Sequence, residues 1–132
     1  MVLVDTSAWI ASFKKVGDPQ LREYLKVTIT SGKAATSPII VLELLQGCRT
    51  NSERDALRNK LENLEVLDIP QAIWERSYEL GFSLRRNGLT IPTADLIIAA
   101  AAIENDCILL HQDEHYEMIA QYFSPLGTKK FY

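Results

Sequence analysis

Short apolar runs of three to five residues alternate along this chain with helical stretches, and no tight Asn-Gly hairpin joins one run to the next. Strands connected through helices pair in parallel, because the crossover returns the chain to the same end of the sheet. The pattern predicts an α/β fold, a three-layer α/β/α sandwich with a central parallel sheet. In open parallel sheets, ligand sites lie beyond the carboxyl ends of the strands. That is where chemistry should be sought.

The predicted elements follow in order. Val2–Val4 is a strand, and Asp5-Thr6-Ser7 caps a helix carrying Trp9, Ile10 and Phe13 that ends near Gly17-Asp18-Pro19. A second helix runs through Leu21, Tyr24 and Leu25, and Ala34–Thr36 is a small strand. Ser37-Pro38 opens a helix from Ile39 to Cys48 whose apolar residues all round assign it to the core. Ser52 with Asp55 resembles a capping box for an exposed helix ending near Leu64. Glu65–Ile69 reads as a strand stopped by Pro70. A long helix, Gln71 to Asn87, turns Ile73, Trp74, Leu80 and Leu84 inward, with Gly88 as its C-terminal cap. Thr93 caps a helix from Ala94 to Asn105, Cys107–Leu110 is the most apolar strand, and a helix runs from Glu114 or His115 to Tyr122. The tail from Gly127 to Tyr132 supplies a last strand.

Length and charge narrow the classes. The 132 residues suit a single domain spanning residues 1–132. Lys plus Arg is 14 and Asp plus Glu is 17, a balance of −3, which is not that of a basic duplex-DNA binder. The longest apolar run, Leu96–Ile103, falls well short of the ~20 residues of a membrane span. The start, Met-Val-Leu-Val-Asp, lacks the basic region of a signal peptide. Cys48 and Cys107 form no CxxC motif and read as reduced thiols, so a cytoplasmic protein is expected.

Four acids sit where acids are costly. Asp5 directly follows the first strand and Asp113 lies just after the last long one, so both fall at the carboxyl edge of the sheet. Asp95 opens a helix whose next eight residues carry no charge, and Glu43 lies inside Pro-Ile-Ile-Val-Leu-Glu-Leu-Leu, with Gly47 one turn on. Those segments offer no Lys or Arg partner, and a buried unpaired carboxylate costs several kcal/mol. Singly, each has a structural reading: Asp5 and Asp95 as helix N-terminal charges, Asp113 as a turn residue, Glu43 as a snorkelling side chain. Together they point to a shared cation. All-oxygen ligation selects Mg²⁺ or Mn²⁺ over zinc, and such an ion at a sheet edge serves phosphoryl chemistry. No Walker loop or GxGxxG supports nucleotide-triphosphate chemistry.

Four ordered stretches carry a resemblance: Val-Leu-Val-Asp5-Thr6-Ser7-Ala-Trp-Ile, Leu42-Glu43-Leu44 with Gly47, Ile91-Pro92-Thr93-Ala94-Asp95-Leu-Ile-Ile-Ala-Ala, and Ile-Leu-Leu-His-Gln-Asp113-Glu-His-Tyr116. Over nearly the whole chain the set resembles the PIN-domain ribonucleases, particularly the VapC toxins of toxin–antitoxin pairs. The resemblance implies that Asp5, Glu43, Asp95 and Asp113 ligate Mg²⁺ or Mn²⁺ and activate water to cleave single-stranded or looped RNA. It implies that the hydroxyl of Thr6 or Ser7 orients the first acid, and it implies a cognate antitoxin and a homodimer. One departure is visible. The family often ends its last motif as Asp-x-Asp-Phe, whereas this chain has Asp113-Glu114-His115-Tyr116, so His115 replaces a fifth acid unless Glu114 substitutes. The departure bears on a second metal, not on the first.

Two rival readings use the same residues. His111-Gln-Asp-Glu114-His115 fits the H-x-x-E-H pattern of a zinc peptidase, but begins directly off a strand rather than within one helix. A surface-turn histidine and a helix-start histidine are the plainer assignment. The second rival is a catalytically inactive PIN-like α/β binding module, against which stands the presence of all four acids. For RNA contacts, Lys14, Lys15, Lys33, Arg49, Arg85, Arg86, Lys129 and Lys130 are candidates, with Arg85-Arg86 the best pair. For the antitoxin, Trp9, Phe13 and the helix around Glu43 suggest a groove for an amphipathic helix.

Overall fold

A computed structural model describes residues Met1–Phe131, so Tyr132, the end of the predicted tail strand, lies outside the described residues. In chain order the elements are β1 (Val2–Val4), α1 (Thr6–Phe13), α2 (Pro19–Thr30), β2 (Ala34–Thr36), α3 (Pro38–Gln46) and α4 (Asn51–Glu62). They continue as β3 (Glu65–Val66), α5 (Gln71–Arg86), α6 (Thr93–Glu104), β4 (Ile108–Leu110), α7 (Glu114–Tyr122) and β5 (Thr128–Lys129). The five strands form one sheet in the order β3-β2-β1-β4-β5, and every pairing is parallel. Leu3 lies between Ala35 and Leu109, which fixes the central register. The chain builds outward from β1 to β3 on one side, then crosses to β4 and β5 on the other. The strand order therefore reverses between β1 and β4, the crevice where open α/β sheets place their ligands.

The core sits on that centre. Leu3, Val4, Leu109 and Leu110 are completely buried, as are Ala99, Ala100, Ala101 and Ala102 of α6. Small side chains let α6 pass close to its neighbours. Against α5, a Cβ on Gly81 would stand 3.1 Å from Leu96 Cδ1, so glycine there admits the start of α6. At the end of α5, Gly88 takes φ +83°, its N–H donates to the Arg85 carbonyl and that of Leu89 to the Leu84 carbonyl. This double bond pattern ends the helix and turns the chain back toward α6. Among the described residues, no helix is long and apolar enough to cross a membrane.

Several local expectations are corrected. α1 stops at Phe13, short of the Gly17 turn. The capping box lies two residues earlier than predicted. Thr50 Oγ1 accepts from the Glu53 N–H and the Glu53 carboxylate accepts from the Arg49 N–H, because threonine adopts the extended cap conformation while Ser52 is already helical. The third strand shrinks to Glu65–Val66, both exposed at the sheet edge, though the Leu67 N–H still reaches the Thr36 carbonyl. Thr93 is the first helical residue of α6, whose cap position is Pro92 with no side-chain bond. Trp74 is 36% exposed rather than inward. Helix α3 is only half in the core: Ile40 and Leu44 are buried, but Leu42 is 60% exposed. An all-round apolar sequence here marks one face for the core and a second face left open.

Candidate active site

Asp5 emerges from β1 at the crevice and is held at both oxygens. Oδ2 accepts from the Ser7 N–H at 2.9 Å and from Ser7 Oγ, and Oδ1 accepts from the Tyr116 hydroxyl at 2.7 Å. Ser7 Oγ in turn accepts from the Gln112 N–H at 2.9 Å, and the Asp5 N–H donates to the Leu110 carbonyl. These bonds clamp the ends of β1 and β4 together. Of the two hydroxyls expected near the first acid, Ser7 orients Asp5. Thr6 Oγ1 instead donates to Glu43 Oε1 at 2.7 Å and ties α1 to α3.

Asp95 enters from the first turn of α6. Its Oδ2 lies 2.8 Å from His115 Nδ1, and its Oδ1 is 3.4 Å from the Tyr116 hydroxyl. Asp113 follows β4 as the N-cap of α7, accepting from the His115 N–H at 2.9 Å while its Oδ1 lies 3.3 Å from His115 Nδ1. Both helix-capping and clustering are therefore true of Asp5 and Asp113: one oxygen serves the backbone and the carboxylate still faces its neighbours.

The charges crowd. Burial pushes the Asp95 carboxyl above its usual range, and the nearby Asp113 and Asp5 carboxylates push it further, against the His115 hydrogen bond. Burial likewise raises Glu43, with Asp5 and Asp95 adding to it and the Thr6 bond opposing. The four predicted acids thus feel one another's charge, while those close enough to share one ion are Asp95 and Asp113, not Asp5 or Glu43. Among the described residues no Lys or Arg forms an ion pair with any of them. One ligand atom each from Asp95, Asp113 and His115 lies within 4.8 Å of the others, a spacing that suits a metal ion.

Comparison with known proteins decides the family. A model of the PIN domain matches residues 2–121. The chain belongs to the PIN domain family. Ribonuclease VapC11 of Mycobacterium tuberculosis is 27% identical over 124 residues, covering 92% of each chain. Among solved structures, VapBC2 from Rickettsia felis bound to a DNA fragment from its promoter superposes with a TM-score of 0.82 at 21% identity, over 100% of both chains. A toxin–antitoxin complex from Klebsiella pneumoniae gives a TM-score of 0.75 at 21% identity, over 99% of this chain and 100% of that one.

Two residues of this PIN domain site were not foreseen as such. Tyr116 stands where the family pattern often has Phe; it is fully buried, and its hydroxyl reaches both Asp5 and Asp95. His115 departs from the family pattern, and the structure brings its imidazole against Asp95 and Asp113. The one available signal was that both positions carry polar groups in the last motif. His111, expected in a surface turn, is completely buried. It packs against Tyr116 at 5.2 Å between ring centroids, and its Nδ1 accepts from the Asp113 N–H. Burial holds its imidazole below the usual value, against the pull of the nearby Glu117, Asp5 and Asp113 carboxylates. With His111 so engaged and apart from the His115 group, the zinc-peptidase reading loses its ligand pair.

The surrounding surface is partly as expected. Arg85 and Arg86 are exposed in the last turn of α5, with the Arg86 guanidinium 5.4 Å from the Phe82 ring. A groove of about 610 Å³ runs between α1, α3 and α4, lined by Ile10, Phe13, Leu44, Leu57 and Lys60, with Glu43 among its walls. Trp9 does not line it, because Trp9 is completely buried. Its place is taken by Leu57 and Lys60 of α4.

Proposed function

We propose that this PIN domain, one domain over residues 1–132, is a Mg²⁺- or Mn²⁺-dependent endoribonuclease and the toxin of a toxin–antitoxin pair. The observation that carries the reading is the gathering of acids at the crevice between β1 and β4: Asp95 and Asp113 are close enough to share one ion, Tyr116 links Asp5 to Asp95, Thr6 ties in Glu43, and among the described residues no Lys or Arg forms an ion pair with any of them. The naming of VapC11 as a ribonuclease and the toxin–antitoxin complexes among the fold neighbours support it. Crowded, uncompensated oxygen donors suit a hard divalent cation, so the donor set fits the metal. When bound, Mg²⁺ or Mn²⁺ supplies a more acidic water at neutral pH and neutralises charge building on the phosphate.

The residues divide the remaining work. Asp5, Glu43, Asp95 and Asp113 hold the cation. Ser7 and Tyr116 fix the Asp5 carboxylate, Thr6 fixes Glu43, and His115 steers Asp95. Arg85 and Arg86, at the end of α5 near the start of α6, are the proposed phosphate contacts for the RNA chain. The groove between α1, α3 and α4 takes an amphipathic helix of the antitoxin, with Lys60 at its rim and Glu43 at the site beyond. A homodimer uses another face: Trp74, Tyr78 and Phe82 recur every fourth residue on α5 and are 36%, 59% and 66% exposed.

The test is cleavage of RNA by purified protein with Mg²⁺ or Mn²⁺. Asp5→Asn and Asp95→Asn should each abolish it while far-UV circular dichroism stays native, and a chelator should do the same to the wild type. Unchanged cleavage by both variants would overturn the site. The toxin reading is tested separately: expression of the intact chain should arrest growth.

A further inference from the structure

We infer that His115 is itself a ligand of the ion, a nitrogen donor that turns this site from Mg²⁺ toward transition-metal ions such as Mn²⁺. The inference rests on the reading of the acid cluster as the metal site. Three observations on His115 carry it. Its Nδ1 lies 2.8 Å from Asp95 Oδ2 and 3.3 Å from Asp113 Oδ1. Adjacent donors around an octahedral ion at about 2.1 Å stand about 3.0 Å apart, so these two distances bracket the spacing of neighbouring ligands. The residue is also anchored, since its backbone N–H is bonded to the Asp113 carboxylate in the first turn of α7. The imidazole therefore approaches the crevice from the same turn as the acid it accompanies.

Its identity then matters. Where the family pattern often adds an acid, this chain adds a nitrogen donor, and Mg²⁺ keeps to oxygen ligands whereas the affinity of transition-metal ions for nitrogen begins with Mn²⁺ and rises along the series. As a ligand, Nδ1 gives up its hydrogen bond to Asp95 Oδ2 and turns its lone pair to the ion, so the ring hydrogen sits on Nε2 and the two atoms become neighbouring ligands. His111 does not compete for this role: it is completely buried and stands outside the Asp95–Asp113–His115 group, with its Nδ1 accepting from the Asp113 N–H. The chain contains only these two histidines, so a nitrogen signal has one admissible source.

Pulsed electron paramagnetic resonance on the full chain loaded with Mn²⁺ tests the proposal, with calorimetric titration of Mn²⁺ and Mg²⁺ alongside. The wild type should show ¹⁴N coupling to bound Mn²⁺, and His115→Asp should lose it. The preference for Mn²⁺ over Mg²⁺ should fall severalfold in His115→Asp, which exchanges the nitrogen donor for an oxygen donor. His115→Gln, which keeps a neutral hydrogen-bonding side chain, is the second variant should the extra acid unfold the protein. Bound Mn²⁺ without ¹⁴N coupling, or coupling retained in both variants, overturns the role of His115 and leaves the acid site standing. Failure of the wild type to bind Mn²⁺ at all overturns both.

Discussion

Tyr116 shows how one side chain lets a like-charged cluster persist. Its phenol is buried, and burial together with the Asp5 and Asp95 carboxylates holds its pKa far above the usual value, so it remains a donor at any physiological pH. Replacing the donor of a hydrogen bond to a charged group costs about 1.5–3 kcal/mol. Tyr116→Phe should lose that much stability in thermal melts without metal, since Phe fills the same space but leaves Asp5 Oδ1 without its 2.7 Å partner. Neutralising an acid should act in the opposite direction. The folded pKa of Asp95 is raised, so its penalty is fully present at neutral pH and is relieved as pH falls through that folded value. Asp95→Asn should therefore be more stable than wild type at pH 7 without metal, and the gap should close on acidification. His111, with its lowered pKa, loses stability as pH drops below its unfolded value of about 6.5. That contribution is common to both proteins and cancels in the difference, which chemical denaturation at several pH values measures.

At the scale of elements, the strands and helices were legible wherever the causes were local. Ser37-Pro38 opens α3 because proline suits the first turn and the serine hydroxyl accepts from the Ile40 N–H, and both causes are local. The placing of three candidate acids was legible too: Asp5, Asp95 and Asp113 sit at element boundaries that the sheet topology brings together. What the sequence concealed was tertiary. Trp74 reads as inward by period, yet the face it shares with Tyr78 and Phe82 is exposed because α6 covers the other side of α5, at Gly81. Leu42 reads as core because nothing in an all-apolar segment says which face is covered. The imidazole of His115 could not be placed from spacing, since a one-residue shift on α7 turns it away. The exposed aromatic face of α5 yields its own prediction. Phe82→Glu combined with Tyr78→Glu should leave the fold intact and convert a dimer to a monomer in analytical ultracentrifugation. A monomeric wild type would remove the argument.

For the whole molecule, a metal held by the acid cluster would couple ion binding to folding. The switch point between β1 and β4 is where the central strands end, so strain there is felt by the element on which the sheet is built. An ion that binds only the folded chain stabilises it by about 2.7 kcal/mol at a hundredfold excess over its dissociation constant. For a chain of this length that is roughly 8–14 °C in melting temperature. The ion also replaces the mutual repulsion that raises Asp95 and Glu43 with attraction to a common centre. Wild type melted with and without Mg²⁺ or Mn²⁺ should show the full shift, whereas Asp95→Asn should start higher without metal and respond far less. The two halves of that result depend on one cause. A variant that melts lower without metal and responds as strongly as wild type would mean that Asp95 neither bears the repulsion nor holds the ion, and the crevice would then need another occupant.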